Sequence, residues 1–321
     1  MKHFTLRSVT ALAVCLLLLL QTSAAVPECL IPGGNTVGLS LELDGVSVVE
    51  FSNDMAQKAG LRCGDLIVEA EDTPISTVEE LQEAVRKADG RLLRLTVRRG
   101  TEERQVKLAP MDTPQGPKLG ILVRDRLMGI GTLTYYNADD GTFGALGHGI
   151  NNADNGAILP VKEGELLPSK VDSVQKGKEG APGALQGSLC GQERCGEILQ
   201  NTPQGIFGTM TPKDSEALPV GRADTVKKGD AEILSNVHGT EVRRYAVQIL
   251  ELYPSDSHDR NLLLRVTDPE LLNLTGGIVQ GMSGSPIIQD GHLIGAVTHV
   301  LIDDPTQGYG IFIENMLDAA G

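Results

Sequence analysis

From Leu119 to its end the chain is a succession of short apolar segments, each cut off by glycine: "LGILVRD", "GIGTLTYYN", "TFGALGHGI", "HLIGAVTHVLI" and "YGIFI". Runs of this length, rich in Val, Ile, Thr and Tyr and bounded by turn residues, read as strands. A helix needs apolar positions sustained at i, i+3 and i+4 over about ten residues or more. After Leu119 that pattern is missing except near Asn315 to Ala320. Residues 119–321 are therefore expected to fold as an all-β barrel or sandwich. Residues 175–210, crowded with Gly, Pro and Gln, read as loop-rich insertions into it.

The preceding residues, 32–110, follow a different rhythm. "TVGLSLELDGVSVVEF" alternates like paired strands around Asp44-Gly45, a hairpin dipeptide. A short helix ending near Gly60, a turn at Cys63-Gly64-Asp65 and a strand from Leu66 to Glu69 come next. "TVEELQEAVRKA" places Val78, Leu81 and Val85 at helical spacing, with acidic residues early and basic ones late, as the helix dipole favours. "RLLRLTVRRGTEERQVKLAP" closes the block as a two-strand hairpin, and residues 111–118, rich in Pro and Gly, read as a linker.

In this order, with "AGLRCGDLI" ahead of a strand and a later helix, the block resembles a bacterial PDZ domain. Such domains hold an extended peptide as an added strand beside a helix, with a loop of backbone N–H groups at its end. By position the resemblance implies that loop at Gly33, Gly34, Asn35, Thr36, Val37, Gly38 and Leu39. The same glycines would also serve simply to turn the chain into its first strand.

The N-terminus carries Lys2 and Arg7, an apolar run from Val9 to Leu20, and small residues from Thr22 to Ala25. Residues 1–25 thus read as an export signal, cleaved or kept as an anchor, because the run falls short of the ~20 residues that span a bilayer. Four cysteines remain beyond it, Cys29, Cys63, Cys190 and Cys195. In an exported chain Cys190 and Cys195 could close a local disulfide, with thiols as the alternative. No metal-ligand spacing accompanies them. Acidic residues outnumber basic ones 42 to 28, so a nucleic-acid backbone is not an expected partner. Aromatics at 3% and the absence of Trp remove stacking platforms as well.

One hexapeptide suggests chemistry: Gly281-Met282-Ser283-Gly284-Ser285-Pro286. Glycines on both sides of Ser283 allow a sharp turn that presents one hydroxyl, above an apolar hairpin turning at Asp290-Gly291. The backbone N–H groups of Gly281 and Ser283 are candidates for an oxyanion hole. A serine needs a base. His148 in "GALGHGI", at a strand end between Gly147 and Gly149, is the first candidate and His299 its rival, ahead of His238, His258 and His292. For the carboxylate that orients the imidazole, the choices are Asp139, Asp140, Asp154, Asp268, Asp303 and Asp304. Asp268 ends the apolar strand "NLLLRVTD", and Asp268-Pro269-Glu270 is equally a helix start.

"GALGHGI", the stretch from Gly276 to Leu317 and a PDZ-like block behind an export signal together resemble SpoIVB, the family of stage IV sporulation serine peptidases. The resemblance implies a mainly β fold, an N-terminal PDZ-like α/β module followed by a trypsin-like β-barrel serine peptidase domain. It implies Ser283 as nucleophile, His148 as base and Asp268 as orienting acid, with no cofactor. It further implies an exported endopeptidase, acting between the mother cell and forespore membranes. There it would cleave itself and then a membrane-associated regulator of an intramembrane protease, so that a late sigma factor is activated. The PDZ-like module would hold substrate or the protein's own cleaved segments. Two departures from trypsin stand out: the acid lies close before the serine, and Met282 replaces an acidic residue. Alternatives are a catalytically silent PDZ-type scaffold and a general exported quality-control protease. In the latter the PDZ module usually follows the protease half.

Overall fold

The computed structural model describes residues 27–152, 156–191, 193–211, 215–256 and 259–321. The expected export signal at residues 1–25, Asp154 and His258 lie outside the described residues. Among the described residues no helix is long and apolar enough to cross a membrane.

In chain order, β1 (Cys29–Pro32) leads into β2, a 16-residue strand from Thr36 to Phe51. A compact α/β unit follows, made of α1 (Met55–Lys58), β3 (Leu66–Ala70), β4 (Thr73–Pro74), α2 (Val78–Ala88), β5 (Leu93–Arg99) and β6 (Glu102–Leu108). The chain returns along β7, another 16-residue strand from Ile121 to Tyr136. Then come β8 (Thr142–Ala145), β9 (Val161–Gln175), β10 (Ala184–Leu189), β11 (Gly196–Thr202), β12 (Gly205–Met210) and the short β13 (Leu218–Pro219). The last part holds β14 (Gly229–Ser235), β15 (Arg243–Leu252), β16 (Leu262–Val266), α3 (Pro269–Thr275), β17 (Pro286–Gln289), β18 (His292–Val300), β19 (Gln307–Phe312) and α4 (Ile313–Ala320).

The antiparallel pairings β2–β7, β7–β8, β8–β12, β12–β11, β11–β9 and β9–β2 close a ring around Val37, Leu39, Leu133, Phe143, Leu166 and Ile206. A second closed barrel runs β14-β15-β16-β19-β18-β17 around Ile233, Val247, Leu264, Ile287, Val297 and Phe312. Alternating apolar residues fill both interiors, as closed sheets require. The two-barrel architecture agrees with the mainly β, trypsin-like expectation.

The α/β unit is an insertion in the first barrel. The first half of β2 pairs with β7 from Thr36↔Thr132 to Glu42↔Arg126 in the barrel wall, and its second half continues the same ladder from Ser47↔Arg124 to Phe51↔Ile121. Beyond that seam the sheet extends through β3, β5 and β6. α2 covers it and buries Leu81 and Val85 against Val46, Ile67, Leu95 and Val97. The helix starts where its sequence says it should: Thr77 and Glu80 form a reciprocal capping box, an N-cap typically worth about 1 kcal/mol.

Four local expectations are corrected. Asp44-Gly45 makes no hairpin; β2 runs straight through it with a bulge between Glu42 and Ser47, because pairing with β7 continues on both sides. Residues 111–118 are not a bare linker: Met111 and Lys118 exchange backbone hydrogen bonds around a tight turn. Residues 175–210 hold β10, β11 and β12, the last two being walls of the first barrel. No disulfide joins Cys190 to Cys195; each N–H bonds to β9, at Pro168 and Leu166.

Candidate active site

Ser283 sits in the turn that enters β17 of the second barrel. Gly281 and Gly284 both take φ near +96°, a backbone region that side chains resist. At Gly284 a Cβ would lie 2.1 Å from the carbonyl oxygen of Thr132 and 2.6 Å from the N of Leu146, so the turn packs backbone to backbone on the first barrel. Met282, fully buried, plugs the turn into the core of the second barrel. An apolar residue there fits that plug better than the acid found in trypsin-like enzymes.

The turn's backbone donors alternate. The N–H groups of Gln280, Met282, Gly284 and Ser285 donate to Gly183, Val279, Val297 and Met282 respectively. Those of Gly281 and Ser283 donate to no protein acceptor among the described residues. The two groups expected to bind an oxyanion are thus the two that the fold leaves available.

His148 follows β8, where Leu146 (φ 70°) and Gly147 (φ 68°) turn the chain sharply out of the sheet. A left-handed leucine is a strained conformation, of the kind found at functional sites. His148 Nδ1 lies 2.9 Å from the carbonyl oxygen of Gly149. A carbonyl only accepts, so Nδ1 carries the proton and Nε2 keeps the lone pair that a general base needs. Burial pushes the His148 pKa down, and the Gly149 bond opposes the shift in part. Its ring faces that of His299 at 5.1 Å between centroids, tilted by 39°. His299, exposed on β18 but with its ring against His148, is pushed down to about 4 by desolvation, then by His148 and Arg260. Ser283 Oγ donates to the carbonyl of Thr298 at 2.7 Å. A Cβ on Gly147 would meet the Thr298 methyl at 3.0 Å, so Ser283 and the His148 segment border the same residue.

Asp268 is not brought to this cluster. Its carboxylate caps α3, accepting from Leu271 N at 3.0 Å and more distantly from Ala246 N at 3.4 Å, which is the helix-start role its Asp-Pro-Glu sequence allowed. Asp140 and Asp304 do not replace it, since they accept from residues two or three further on, and among the described residues no carboxylate acts on His148. His238 and His292 are exposed. Among the described residues no group of three or more His, Cys, Asp or Glu gathers as a metal site.

The Gly33–Leu39 segment is a barrel wall, not a peptide loop. Gly33 and Gly34 donate to Thr134 and Leu133, Thr36 N donates to Asn236 Oδ1, and Val37 to Leu39 pair with both β7 and β9. A groove of about 820 Å³ lies elsewhere, between α2 and the start of β7, and Val78, Leu81, Val85, Leu119, Ile121 and Val123 line it. Over this stretch β7 pairs with β2 on one edge only. At the groove's end, near Arg86 and Lys118, the N–H groups of Leu119 and Gly120 donate to nothing among the described residues. Lys118-Leu119-Gly120-Ile121 is closer to the familiar Gly-Leu-Gly-Phe loop than residues 33–39 are. The sequence signal was present, but it follows the helix instead of leading the module.

Residues 115–317 match the SpoIVB peptidase S55 family. The chain belongs to that family. Residues 52–99 match a PDZ domain. A putative zinc metalloprotease of Nostoc sp. is 32% identical over 84 residues, which is 24% of this chain and 23% of that protein, so the chain spans less than a quarter of that relative. Among solved structures, Rv3671c protease from M. tuberculosis in its active form aligns over 61% of this chain and 75% of its own, with 17% identity and a TM-score of 0.39. The HtrA-type protease AlgW with a decapeptide aligns over 65% and 57%, with 14% identity and a TM-score of 0.36. The PDZ domain of an SdrC-like protein from Listeria monocytogenes covers 25% of this chain and 87% of its own, with 23% identity and a TM-score of 0.23.

Proposed function

We propose that this protein is an exported serine endopeptidase that cleaves itself and then cuts a membrane-associated regulator of an intramembrane protease, triggering the signal that activates a late sigma factor during sporulation. Ser283 is the nucleophile and His148 the base. Its place of action is the space between mother cell and forespore membranes, and the PDZ-like unit presents a peptide, from substrate or from its own cleaved segments, in the groove beside α2. The observation that carries the catalytic part is the pair of unclaimed N–H groups at Gly281 and Ser283, set among paired neighbours.

The chemistry runs as follows. Ser283 Oγ turns from the Thr298 carbonyl, gives its proton to His148 Nε2 and bonds to the scissile carbonyl carbon, whose oxygen takes up the negative charge. The N–H groups of Gly281 and Ser283 stabilise that oxygen, and each such donor is typically worth ~10²–10³ in rate. His148 then passes the proton to the leaving amine as the C–N bond breaks, and water repeats the sequence on the acyl-enzyme. The Gly149 carbonyl holds the imidazole tautomer throughout.

The test is a time course of the exported protein, wild type against Ser283→Ala, followed by gel and intact mass. Fragments that form in the wild type and vanish in the variant support the reading, and their ends give the cleavage preference. Identical processing of both proteins would remove Ser283 from the mechanism.

A further inference from the structure

β9 does not stop at the wall of the first barrel. It overshoots to Gln175, turns, and returns as β10, so that residues 177–185 lie across the loop that leads into the nucleophile turn. Three backbone bonds fasten the two segments, each 2.8 Å long: Gly177 N to Thr275 O, Gln280 N to Gly183 O, and Leu185 N to Gln280 O. The contact leaves no room for side chains, since a Cβ on Gly276 would lie 2.4 Å from the carbonyl oxygen of Gly177. Leu185 is buried with Val279 and Met282 in the second barrel's core, although its strand belongs to the first.

The bond from Leu185 has a directional consequence. In a trans peptide the C=O and the following N–H point in opposite directions. The Gln280 carbonyl is held by Leu185, so the N–H of Gly281 is turned to the other side of the chain. Gly281 is a glycine at φ +96°, free to take the flipped peptide as readily as this one. Ser283 differs, because the peptide before its N–H is held within the turn itself, by Ser285 N donating to Met282 O at 2.9 Å.

We propose that the β10 segment is a latch for the oxyanion site: the Leu185 N–H fixes the 280–281 peptide so that Gly281 presents its N–H to the reacting oxygen. Leu185 is thus a positioning residue, and this inference rests on the Ser283 reading above. Without the latch one of two oxyanion donors is lost in part of the population, while substrate binding is untouched.

Leu185→Pro removes the donor and Leu185→Gly keeps it while removing the apolar anchor. Both are compared with wild type for kcat, KM and affinity for a peptide boronate, whose tetrahedral adduct occupies the oxyanion site. Binding of a substrate peptide is measured in a Ser283→Ala background. The expected result for Leu185→Pro is a fall in kcat that approaches ~100-fold as the flipped peptide comes to dominate, a matching loss of boronate affinity, and unchanged KM and substrate-peptide binding. Leu185→Gly should show the same pattern more weakly. Wild-type kcat in a folded Leu185→Pro, or a loss confined to KM, overturns the latch. If Leu185→Pro does not fold, Leu185→Gly with wild-type kcat and boronate affinity overturns it. Absence of Ser283-dependent turnover in the wild type overturns the nucleophile reading instead.

Discussion

The backbone N–H of Thr132 donates to the carbonyl of Ser283 at 3.0 Å, while the Thr132 hydroxyl donates to the carbonyl of Gly281 at 2.7 Å. One fully buried residue of the first barrel therefore grips both flanks of the second barrel's nucleophile turn. Thr132→Val keeps the shape and the N–H but leaves the Gly281 carbonyl without its partner. The expected cost is about 1–3 kcal/mol of stability, with a lower kcat as the turn loosens. Thr132→Ser, which keeps the hydroxyl, should retain turnover. Thermal melting and steady-state kinetics on the pair check this, and a fully active valine variant would show that the grip is dispensable.

Asp268 separates two roles by a single substitution. As the cap of α3 it should tolerate Asp268→Asn, since asparagine caps equally well, whereas Asp268→Ala should cost ~1 kcal/mol. An orienting carboxylate behaves differently: its replacement by asparagine lowers kcat by roughly 10⁴-fold. Near-normal kcat for Asp268→Asn is expected, and a collapse of that size would place the carboxylate in the mechanism after all.

Burial holds His148 below the ordinary histidine value, and at the more exposed His299 desolvation of the ring, with His148 and Arg260 beside it, acts in the same direction. For catalysis, the neutral base persists to lower pH, so the acid limb of kcat/KM should fall below the usual imidazole pKa of about 6.5. For folding, the unfolded chain takes up protons near pH 6.5 that the folded sites refuse, so stability is complete above that pH and is lost as pH drops toward the folded values. His299→Gln should flatten the pH dependence of melting below pH 6.5 and leave melting at pH 8 nearly unchanged. Melting curves across pH 4–8 test the point, and an unaltered pH dependence would count against His299 as a contributor.

The groove beside α2 makes its own demand on a ligand. With unclaimed N–H groups at Leu119 and Gly120, and Arg86 and Lys118 nearby, a peptide ending in a free carboxylate after an apolar residue should bind better than its C-terminal amide. A hydrogen bond to a charged group contributes ~1.5–3 kcal/mol, so the preference should be about tenfold or more. Gly120→Ala, at φ +72° and with a Cβ 2.2 Å from Asn53 Nδ2, should abolish it. Fluorescence anisotropy with the two peptides decides; equal affinities would mean that an internal extended segment is the natural occupant.

What could be read from the sequence was whatever neighbouring residues decide. The helical spacing of Val78, Leu81 and Val85 in α2, the Asp290-Gly291 turn with both residues at positive φ, and the glycine-flanked serine turn are local, and they appear where expected. Asp44-Gly45 has an equally strong local signal, yet a ladder to β7, formed across the whole inserted unit, overrides it. Residues 175–210 looked like loops because their glycines do not alternate with bulky apolar residues. In the structure Gly208 faces β11 so closely that a Cβ would lie 1.9 Å from the Glu197 carbonyl oxygen, and its bareness is a packing requirement. Thr132, Thr298 and Leu185 carry no chemistry of their own. They matter at the site through backbone atoms and one hydroxyl, which no residue pattern announces.

The pairing of Glu42 with Arg126 marks where the chain leaves the first barrel and where it comes back. These two positions are neighbours in one ladder, ~5 Å apart, a gap that a two-residue turn can bridge. The molecule thus carries a ready excision point: residues 43–125 could be exchanged for an Asn-Gly turn while the ring of six strands stays closed. The same seam would accept a foreign recognition module whose termini emerge side by side, which would make the protease a chassis with an interchangeable sensor.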